Sequence, residues 1–320
     1  MIWYNIFGDF MDKLKIHFLN TIWSDAIILE NNNHFAFIDT GSKFYFPMIE
    51  EHLNKYNIYD IDFIVITHFH NDHYGNAFNI INNYNVKKLY IKHYYGLDGT
   101  NSSGHASNEE YIENEFKNYY DILNIAKEKN TEIIFIDEFN DNDSCIDFNG
   151  LDIELYDCKN RLYEEYSNPN SEFYNQKRFN ENFNSIGIFV KVNDFNIFLG
   201  ADVTCSATDI SFVRELSIKM INRIYEKHNI NHIDIYKSCH HGGGGTNTLP
   251  LCNLLAAKNV IITNTARWLD TYNTYENLKE AYSDVNILTT DHQKYIFNIC
   301  DKITYKTIFK ESLFIVLNKD

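Results

Sequence analysis

The stretch FIVITHFHNDH at residues 63–73 decides how the rest of this chain is interpreted. It begins with four apolar residues, mostly β-branched, and polar residues follow at once, which predicts a buried strand that ends where the histidines begin. Side chains alternate faces along a strand, so only a tight loop after it can bring several metal-binding side chains together. Imidazole and carboxylate suit Zn²⁺, and Mn²⁺ or Fe²⁺ also accept them. The loop offers candidate ligands for two ions, His68 and His70 for one, and Asp72 and His73 for the other.

The pattern HxHxDH at residues 68–73, placed after a hydrophobic strand, resembles the signature of the metallo-β-lactamase superfamily. The resemblance implies an α/β fold, a four-layered αββα sandwich with a two-metal hydrolytic site. It spans about residues 14–300, and we interpret residues 1–320 as a single domain of this kind. Within it, the polar and aromatic segment 157–184 is expected to be a lid or specificity loop, and residues 286–320 the closing strands.

Composition and charge narrow the class of protein and substrate. A chain of 320 residues with 44% hydrophobic residues is globular and large enough for a substantial core. Its net charge of -16 repels a long polyanion, which favours a small-molecule substrate over nucleic acid. Six scattered cysteines without a Cys-x-x-Cys pair fit a reduced interior. Because neither a signal peptide nor an apolar run of about 18 residues is evident, we expect a cytoplasmic protein that does not insert into a membrane.

An aspartate near the start of the chain is expected to support the metal loop. Apolar segments at residues 14–19, 25–30 and 34–38 predict a β-meander, which ends in Asp39-Thr40-Gly41. In the family that this chain resembles, such a turn commonly lies beside the metal site. The resemblance therefore implies that Asp39 bonds to the loop rather than to a metal ion.

Two later strand ends are expected to supply the remaining ligands. The predicted strand at 195–199 is followed by Gly200-Ala201-Asp202, and the resemblance makes Asp202 the carboxylate that bridges both metal ions, although the inserted alanine makes the register unusual. A second predicted strand is followed by His240-His241 and four glycines, which resembles the ComEC-type and phosphorylcholine-esterase-like branch of the superfamily. There one histidine would be the last metal ligand and the other would contact the substrate's phosphate. The sequence does not tell which histidine has which role. The glycines lack the Lys-Ser/Thr ending of a phosphate-binding P-loop.

The sequence departs from many hydrolytic members of the family at one position. Those members carry a histidine before the bridging aspartate, whereas residues 182–185 here read Asn-Phe-Asn-Ser, an arrangement typical of the ComEC-like branch. The first ion would then hold only His68, His70 and Asp202, leaving the open position that a catalytic metal needs. His93 and His105 are the alternatives that could fill this gap.

The leading hypothesis is a phosphodiesterase-like hydrolase of a small phosphoester. Two divalent ions, expected to be Zn²⁺, would lower the pKa of a shared water and make hydroxide available at neutral pH. Asp72 would orient that water and transfer its proton, with His240 and His241 as the other catalytic candidates. The alternatives are a lactonase, thioesterase or β-lactamase acting on a carbonyl substrate, and a non-catalytic metal-binding module.

A narrower hypothesis places the quaternary ammonium of choline in an aromatic cage. The acidic balance of the chain agrees with a cationic leaving group. Six aromatic residues are candidates for this cage, namely Tyr94, Tyr95, Tyr163, Tyr166, Tyr174 and Trp268.

Overall fold

The computed structural model describes seven ranges of the chain, 13–100, 106–176, 179–204, 215–243, 245–265, 273–291 and 293–309. The candidates His105 and Trp268 lie outside the described residues. Residues 310–320, the end of the segment expected to form closing strands, also lie outside the described residues.

In chain order, the described strands are β1 (Leu14–Phe18), β2 (Ala26–Asn31), β3 (His34–Thr40), β4 (Asp60–Val65), β5 (Asn85–Ile91), β6 (Asp98–Thr100), β7 (Glu132–Phe135), β8 (Ser144–Phe148), β9 (Leu151–Tyr156), β10 (Phe179–Asn180), β11 (Gly187–Val192), β12 (Phe195–Leu199), β13 (Ile235–Lys237), β14 (Asn259–Ile262), β15 (Asn286–Thr289), β16 (Gln293–Ile299) and β17 (Ile303–Phe309). The described α-helices are α1 (Phe46–Lys55), α2 (Asn71–Tyr74), α3 (Ala77–Asn83), α4 (Glu109–Glu128), α5 (Arg161–Ser167), α6 (Leu216–His228), α7 (Leu249–Leu255) and α8 (Thr274–Ala281).

These strands form two large sheets. The first has the order β17-β16-β1-β2-β3-β4-β5-β7, and the second has the order β15-β14-β13-β12-β11-β9-β8. The strands β1 to β3 form the antiparallel meander that the sequence predicts, and β3, β4, β5 and β7 continue the sheet in parallel. In the second sheet β12 to β15 are parallel. A parallel pair, β6 and β10, lies apart from both sheets.

Alternate residues of the central strands pack on opposite faces of the first sheet. In β4, Phe63 and Val65 join a cluster shared by the two sheets, whereas Ile64 joins a second cluster with the outer helices α1, α3 and α4. A third cluster packs α6, α7 and α8 against the outer face of the second sheet. Both faces of the central strands are therefore buried, which explains their nearly unbroken apolar sequence. The four layers are helix, sheet, sheet and helix, so the predicted αββα sandwich is confirmed.

The segment at 157–184 is more ordered than the sequence suggests. It contains α5, the short β10 and a 3₁₀ turn at Glu181–Asn184, and Leu162 and Glu181 in it are buried. The expected loop therefore contains regular elements, and a few of its polar residues, among them Asn160 and Asn184, are buried, whereas residues 167–170 are exposed. The proposed roles of this segment, a lid or a specificity element, stay predictions.

Among the described helices, none combines the length and the apolar character needed to cross a lipid bilayer.

Candidate metal centre

The loop after β4 is held in place by one buried carboxylate. The backbone N–H of Thr67 donates to Asp39 Oδ1 at 2.8 Å, and the Thr67 hydroxyl donates to Asp39 Oδ2 at 2.7 Å. At the other end of the loop, His73 Nδ1 donates to Asp39 Oδ2 at 2.7 Å. Asp39 is fully buried, so these bonds fix both ends of the loop and point His73 Nε2 away from Asp39. This geometry agrees with the supporting role expected for Asp39.

Asp202 reaches the same place from the second sheet, through an unusual turn after β12. Ala201 has φ of 41°, in the left-handed region that L-residues rarely occupy, and this turn accommodates the inserted residue in Gly-Ala-Asp. The Ala201 carbonyl accepts a bond from Lys237 Nζ at 3.0 Å and another from the His240 N–H at 2.8 Å. The ends of β12 and β13 are therefore tied together.

The histidine pair after β13 adopts a strained backbone conformation. His240 has φ of 48° and His241 has φ of 51°, and Gly242 follows with φ of 78°. Left-handed backbone costs a residue with a side chain about 1–2 kcal/mol, and such outliers concentrate at functional sites. The turn directs the two rings to different oxygens of one carboxylate. His240 Nε2 lies 3.8 Å from Asp202 Oδ2, and His241 Nε2 lies 3.5 Å from Asp202 Oδ1.

The loop histidines meet the same carboxylate. His68 Nε2 lies 3.8 Å from Asp202 Oδ2 and 3.3 Å from His70 Nδ1. His73 Nε2 lies 3.3 Å from Asp202 Oδ1, and Asp72 Oδ2 lies 3.4 Å from the Nε2 of His241. Contacts of 3.8 Å or less thus connect all seven ligands expected from the sequence, namely His68, His70, Asp72, His73, Asp202, His240 and His241. We call this set the seven-residue cluster.

Several ligand atoms of the seven-residue cluster have no hydrogen-bond partner in the described part of the chain, and all of them are buried. They are Asp72 Oδ1, His73 Nε2, Asp202 Oδ1 and His241 Nε2. Buried polar atoms are nearly always paired, so this concentration of unpaired donors and acceptors needs an explanation. Ligand atoms of Asp72, His73, Asp202 and His241 lie within 4.8 Å of one another, as ligands of one cation do. The donor set therefore fits a divalent metal ion.

The charges within the cluster also favour a cation. Burial opposes ionisation of Asp202, but the neighbouring His241 and His73 outweigh it and hold the pKa of Asp202 well below its usual value. Burial likewise opposes protonation of His73, yet Asp202 and Asp39 raise its pKa well above the ordinary value. Burial also opposes protonation of His241, but Asp202 and Asp25 raise its pKa to about 9. Without a metal, protons on these rings balance the carboxylates, so cation binding should release protons.

The other two loop histidines are already in the neutral form that ligands require. Burial lowers the pKa of His68 well below its usual value, and the adjacent His73 lowers it further. Burial also lowers the pKa of His70, to about 4. Both imidazoles are therefore neutral at pH 7 and offer lone pairs to a cation.

Sequence reasoning missed a second set of buried charges behind the cluster. Lys237 and Asp25 are fully or almost fully buried and form an ion pair. Thr263 donates to Asp25 Oδ1 at 2.6 Å and lies 2.9 Å from His241 Nδ1, which orients that ring. The available signal was Lys237 itself, because a lysine at the end of an apolar strand needs a buried partner.

Two of the weaker candidates lie elsewhere. His93 Nδ1 lies 3.2 Å from both carboxylate oxygens of Asp137, and its ring stacks on Phe135. Tyr94 is buried, and its hydroxyl donates to Asp98. Neither residue has a described contact with the seven-residue cluster.

A cavity of about 710 Å³ lies on the helical side of the metal loop. Asn71, Tyr74 and Gly75 of the α2 region line it together with Phe78 and Glu115. None of the seven clustered ligands is part of its lining, so this cavity is distinct from the metal centre.

Solved structures resemble the chain at low sequence identity. The metallo-β-lactamase fold protein YhfI from Bacillus subtilis is 11% identical, with a TM-score of 0.47, and the similarity covers 87% of this chain and 96% of that one. A diphosphatase from the PhnP family is 13% identical, with a TM-score of 0.45 and coverage of 90% and 98%. An E377D mutant of the β-hydroxylase CmlA is 10% identical, with a TM-score of 0.46 and coverage of 93% and 54%.

The sequence itself was also compared with known families and proteins. No curated protein matches the chain. Residues 24–159, which include the HxHxDH loop, match the family model described as the Metallo-beta-lactamase superfamily. Residues 24–159 are therefore similar to the metallo-β-lactamase superfamily, and the αββα architecture agrees with that similarity.

Proposed function

We propose that this protein is a metal-dependent hydrolase of a small phosphoester and that it uses two divalent ions. The observation that carries the proposal is the seven-residue cluster, where four buried ligand atoms lack a hydrogen-bond partner among the described residues. An imidazole-rich donor set with carboxylates favours Zn²⁺, and Mn²⁺ or Fe²⁺ would also be accommodated. Such ions, when bound, supply Lewis acidity and activate water at neutral pH.

The chain's own groups have separate tasks in this proposal. Asp72 is the proton acceptor, because its Oδ1 is unpaired in the cluster and its carboxyl stays ionised at neutral pH. Burial raises the pKa of Asp72, but the neighbouring His241 and the charge of His73 outweigh it and lower that pKa. Asp39 and Thr263 hold the outer ring nitrogens of His73 and His241, so both Nε2 atoms stay directed into the site.

The substrate class rests on sequence features. The histidine pair and the Asn182-x-x-Ser185 arrangement resemble the ComEC-type and phosphorylcholine-esterase-like branch, which favours a phosphoester. A net charge of -16 disfavours long nucleic acids, so a small molecule is the better substrate.

A metal analysis paired with a substrate panel tests the proposal. The as-purified protein is analysed for metals, loaded with Zn²⁺ or Mn²⁺, and assayed with bis(p-nitrophenyl) phosphate, an aryl lactone, a thioester and a β-lactam. Release of p-nitrophenol from the diester, abolished in Asp72→Asn, is the expected result. Turnover of the lactone, thioester or β-lactam without diester cleavage would reject the phosphoester assignment. Metal binding without any turnover would point to a non-catalytic metal-binding module.

A further inference from the structure

Asn182 begins the Asn-Phe-Asn-Ser segment that stands where many hydrolytic members of the family carry a histidine, and it contacts a histidine from another element. Asn182 belongs to the buried 3₁₀ turn before β11, and its side-chain nitrogen Nδ2 lies 3.2 Å from His240 Nε2. Its carbonyl oxygen Oδ1 is buried and has no hydrogen-bond partner in the described ranges. The imidazole of His240 therefore lies only 3.2 Å from the amide of Asn182, close to the place of the absent histidine.

The two oxygens of Asp202 divide the seven-residue cluster into two halves. Asp202 Oδ1 lies 3.3 Å from His73 Nε2 and 3.5 Å from His241 Nε2. Asp202 Oδ2 lies 3.8 Å from both His68 Nε2 and His240 Nε2. Because one carboxylate can bridge two cations with separate oxygens, each oxygen marks one ion site.

We propose that His240 is the third imidazole of the first ion site, and that the Asn182 amide holds its ring until an ion binds. This inference rests on the proposed two-metal function and resolves which histidine serves which ion. His68, His70, His240 and Asp202 Oδ2 would hold the first ion. Asp72, His73, His241 and Asp202 Oδ1 would hold the second.

The left-handed turn after β13 makes this division feasible. Neighbouring residues in an ordinary extended or helical backbone would not direct both rings to one carboxylate, whereas His240 and His241 at φ of 48° and 51° reach its two oxygens. The Asn182 amide faces the Nε2 atom of His240 that would bind the ion. Because Nε2 of a neutral imidazole has one lone pair, the amide can hold the ring only before an ion binds, and an ion would then take the place of the amide.

Exposure distinguishes the two sites further. The His240 side chain is 34% exposed, whereas that of His241 is 2% exposed. Asp72 of the second site is 17% exposed, so the second site is more enclosed than the first, which is open on the side of His240. We expect the more enclosed site to fill first and to bind its ion more tightly.

A cobalt titration tests the assignment without measuring activity. Equilibrium dialysis measures how many Co²⁺ ions are bound per chain, and the absorption spectrum of the bound Co²⁺ reports its ligands. The wild type should bind two ions in two steps. His240→Ala should retain the first binding step, which fills the second site. It should weaken the second binding step, which fills the first site, by at least about tenfold. His240→Gly should do the same while relieving the left-handed strain, so a loss in both variants is not due to misfolding.

A rescue variant makes the test specific. Asn182→His in the His240→Ala background returns an imidazole to the position expected in the family, and it should restore the second step. His232→Ala, which removes a partly exposed histidine that pairs with Asp234, is the matched control and should bind two ions as the wild type does.

Three results would overturn the assignment. Unchanged second-step affinity in both His240 variants would show that this ring is not a ligand. Failure of the double variant to regain the second step would reject the replacement of one imidazole by the other. A wild type that binds no cobalt would reject the two-metal function and this assignment with it.

Discussion

At the residue scale, the metal centre depends on groups that hold the far side of each imidazole. His73 Nδ1 donates to Asp39 at 2.7 Å, and His241 Nδ1 lies 2.9 Å from Thr263. His68 Nδ1 lies 3.2 Å from the hydroxyl of Thr67. These contacts leave the Nε2 atoms free to face the site, and supports of this kind tune metal affinity nearly as strongly as the ligands themselves.

Asp39→Asn should lower metal affinity while the protein stays folded. The amide retains the shape of the carboxylate, but it removes the negative charge that acts on His73 and presents a donor or a weaker acceptor to Nδ1. We expect affinity for Zn²⁺ to fall by about 10–100-fold in a competition titration with a chelator. Asp62→Asn removes a carboxylate that contacts His34 away from the cluster and should leave affinity unchanged. Equal affinity in Asp39→Asn and wild type would contradict the supporting role.

A buried histidine pair outside the site should make stability depend on pH. His17 Nδ1 lies 2.9 Å from His52 Nε2, and His17 Nε2 lies 3.1 Å from Glu30. Burial, together with the neighbouring charges of His17 and Lys294, lowers the pKa of His52 to about 2. The unfolded chain binds this proton below a pH of about 6.5 and the folded chain does not, so stability is lost as pH falls below that value.

The measurement compares His52→Gln with wild type in urea unfolding at pH 7 and pH 5, both without metal. A single histidine of this kind loses about 2 kcal/mol of unfolding free energy over that interval. Because glutamine does not titrate, the variant should lose about that much less on acidification, whatever its stability at pH 7. Parallel pH dependence in the two proteins would refute the prediction.

How far individual residues could be predicted from the sequence depends on whether they lie in a compact pattern. The loop ligands lie within six positions at a strand end, and Asp202 and His241 each follow an apolar strand, so their types and places indicated the site. Asp25 and Thr263 belong to no such pattern. They are 238 positions apart, and only the packing of the two sheets brings them into contact.

At the element scale, α2 is positioned by very close backbone packing at Gly75. A Cβ atom at this glycine would lie 2.3 Å from the Asn71 carbonyl oxygen, 2.7 Å from the Lys43 nitrogen and 2.8 Å from the Gly41 carbonyl oxygen. Its φ of -54° is ordinary for any residue, so the requirement for glycine is steric. The short α2 carries Asp72 and His73, and its place sets theirs.

Gly75→Ala should therefore weaken metal binding as well as stability. The backbone atoms around the new methyl group cannot rotate away, so α2 must shift, at about 1–3 kcal/mol of unfolding free energy. Gly150→Ala is the control, because its φ of 84° imposes left-handed strain of similar size while nothing lies within 4 Å. Both variants should lose stability in thermal unfolding, but only Gly75→Ala should lose affinity for Zn²⁺. Equal affinities would show that α2 tolerates the displacement.

Elements with strong apolar patterns were predictable, and those that depend on tertiary contacts were not. Runs of apolar residues predict the strand before the metal loop and the opening meander. The order within 157–184 is not predicted in this way, because Asn160 and Asn184 are buried there through hydrogen bonds rather than by an apolar pattern. Polar residues that satisfy one another leave no periodic signal.

At the scale of the whole molecule, the metal centre joins the two sheets. Four of its ligands follow β4 of the first sheet, and Asp202 and the histidine pair follow β12 and β13 of the second. An ion held by both groups stabilises the native state, because the unfolded chain does not assemble this set. The fold class was predictable because the family resemblance covered the motif, while the strand order around it was not.

Metal loading should stabilise both sheets together. At a free Zn²⁺ concentration of about 100 times the dissociation constant, the unfolding free energy should rise by about 2.7 kcal/mol per site over the chelator-treated protein. Hydrogen exchange should then slow at the carboxyl ends of β4, β12 and β13 alike. Slower exchange at the end of β4 alone would indicate that the ion is held by the loop and not across the sheets.

The pairing of β16 with β1 has a consequence for biosynthesis. Leu14 lies opposite Ile299, so the side of β1 that does not pair with β2 is covered by a strand made 285 residues later. Until that segment leaves the ribosome, Leu14, Ile16 and Phe18 have an open flank ready to pair with any other extended chain. A nascent polypeptide of this protein should therefore need shielding by a chaperone through most of translation, and slow elongation should increase its aggregation.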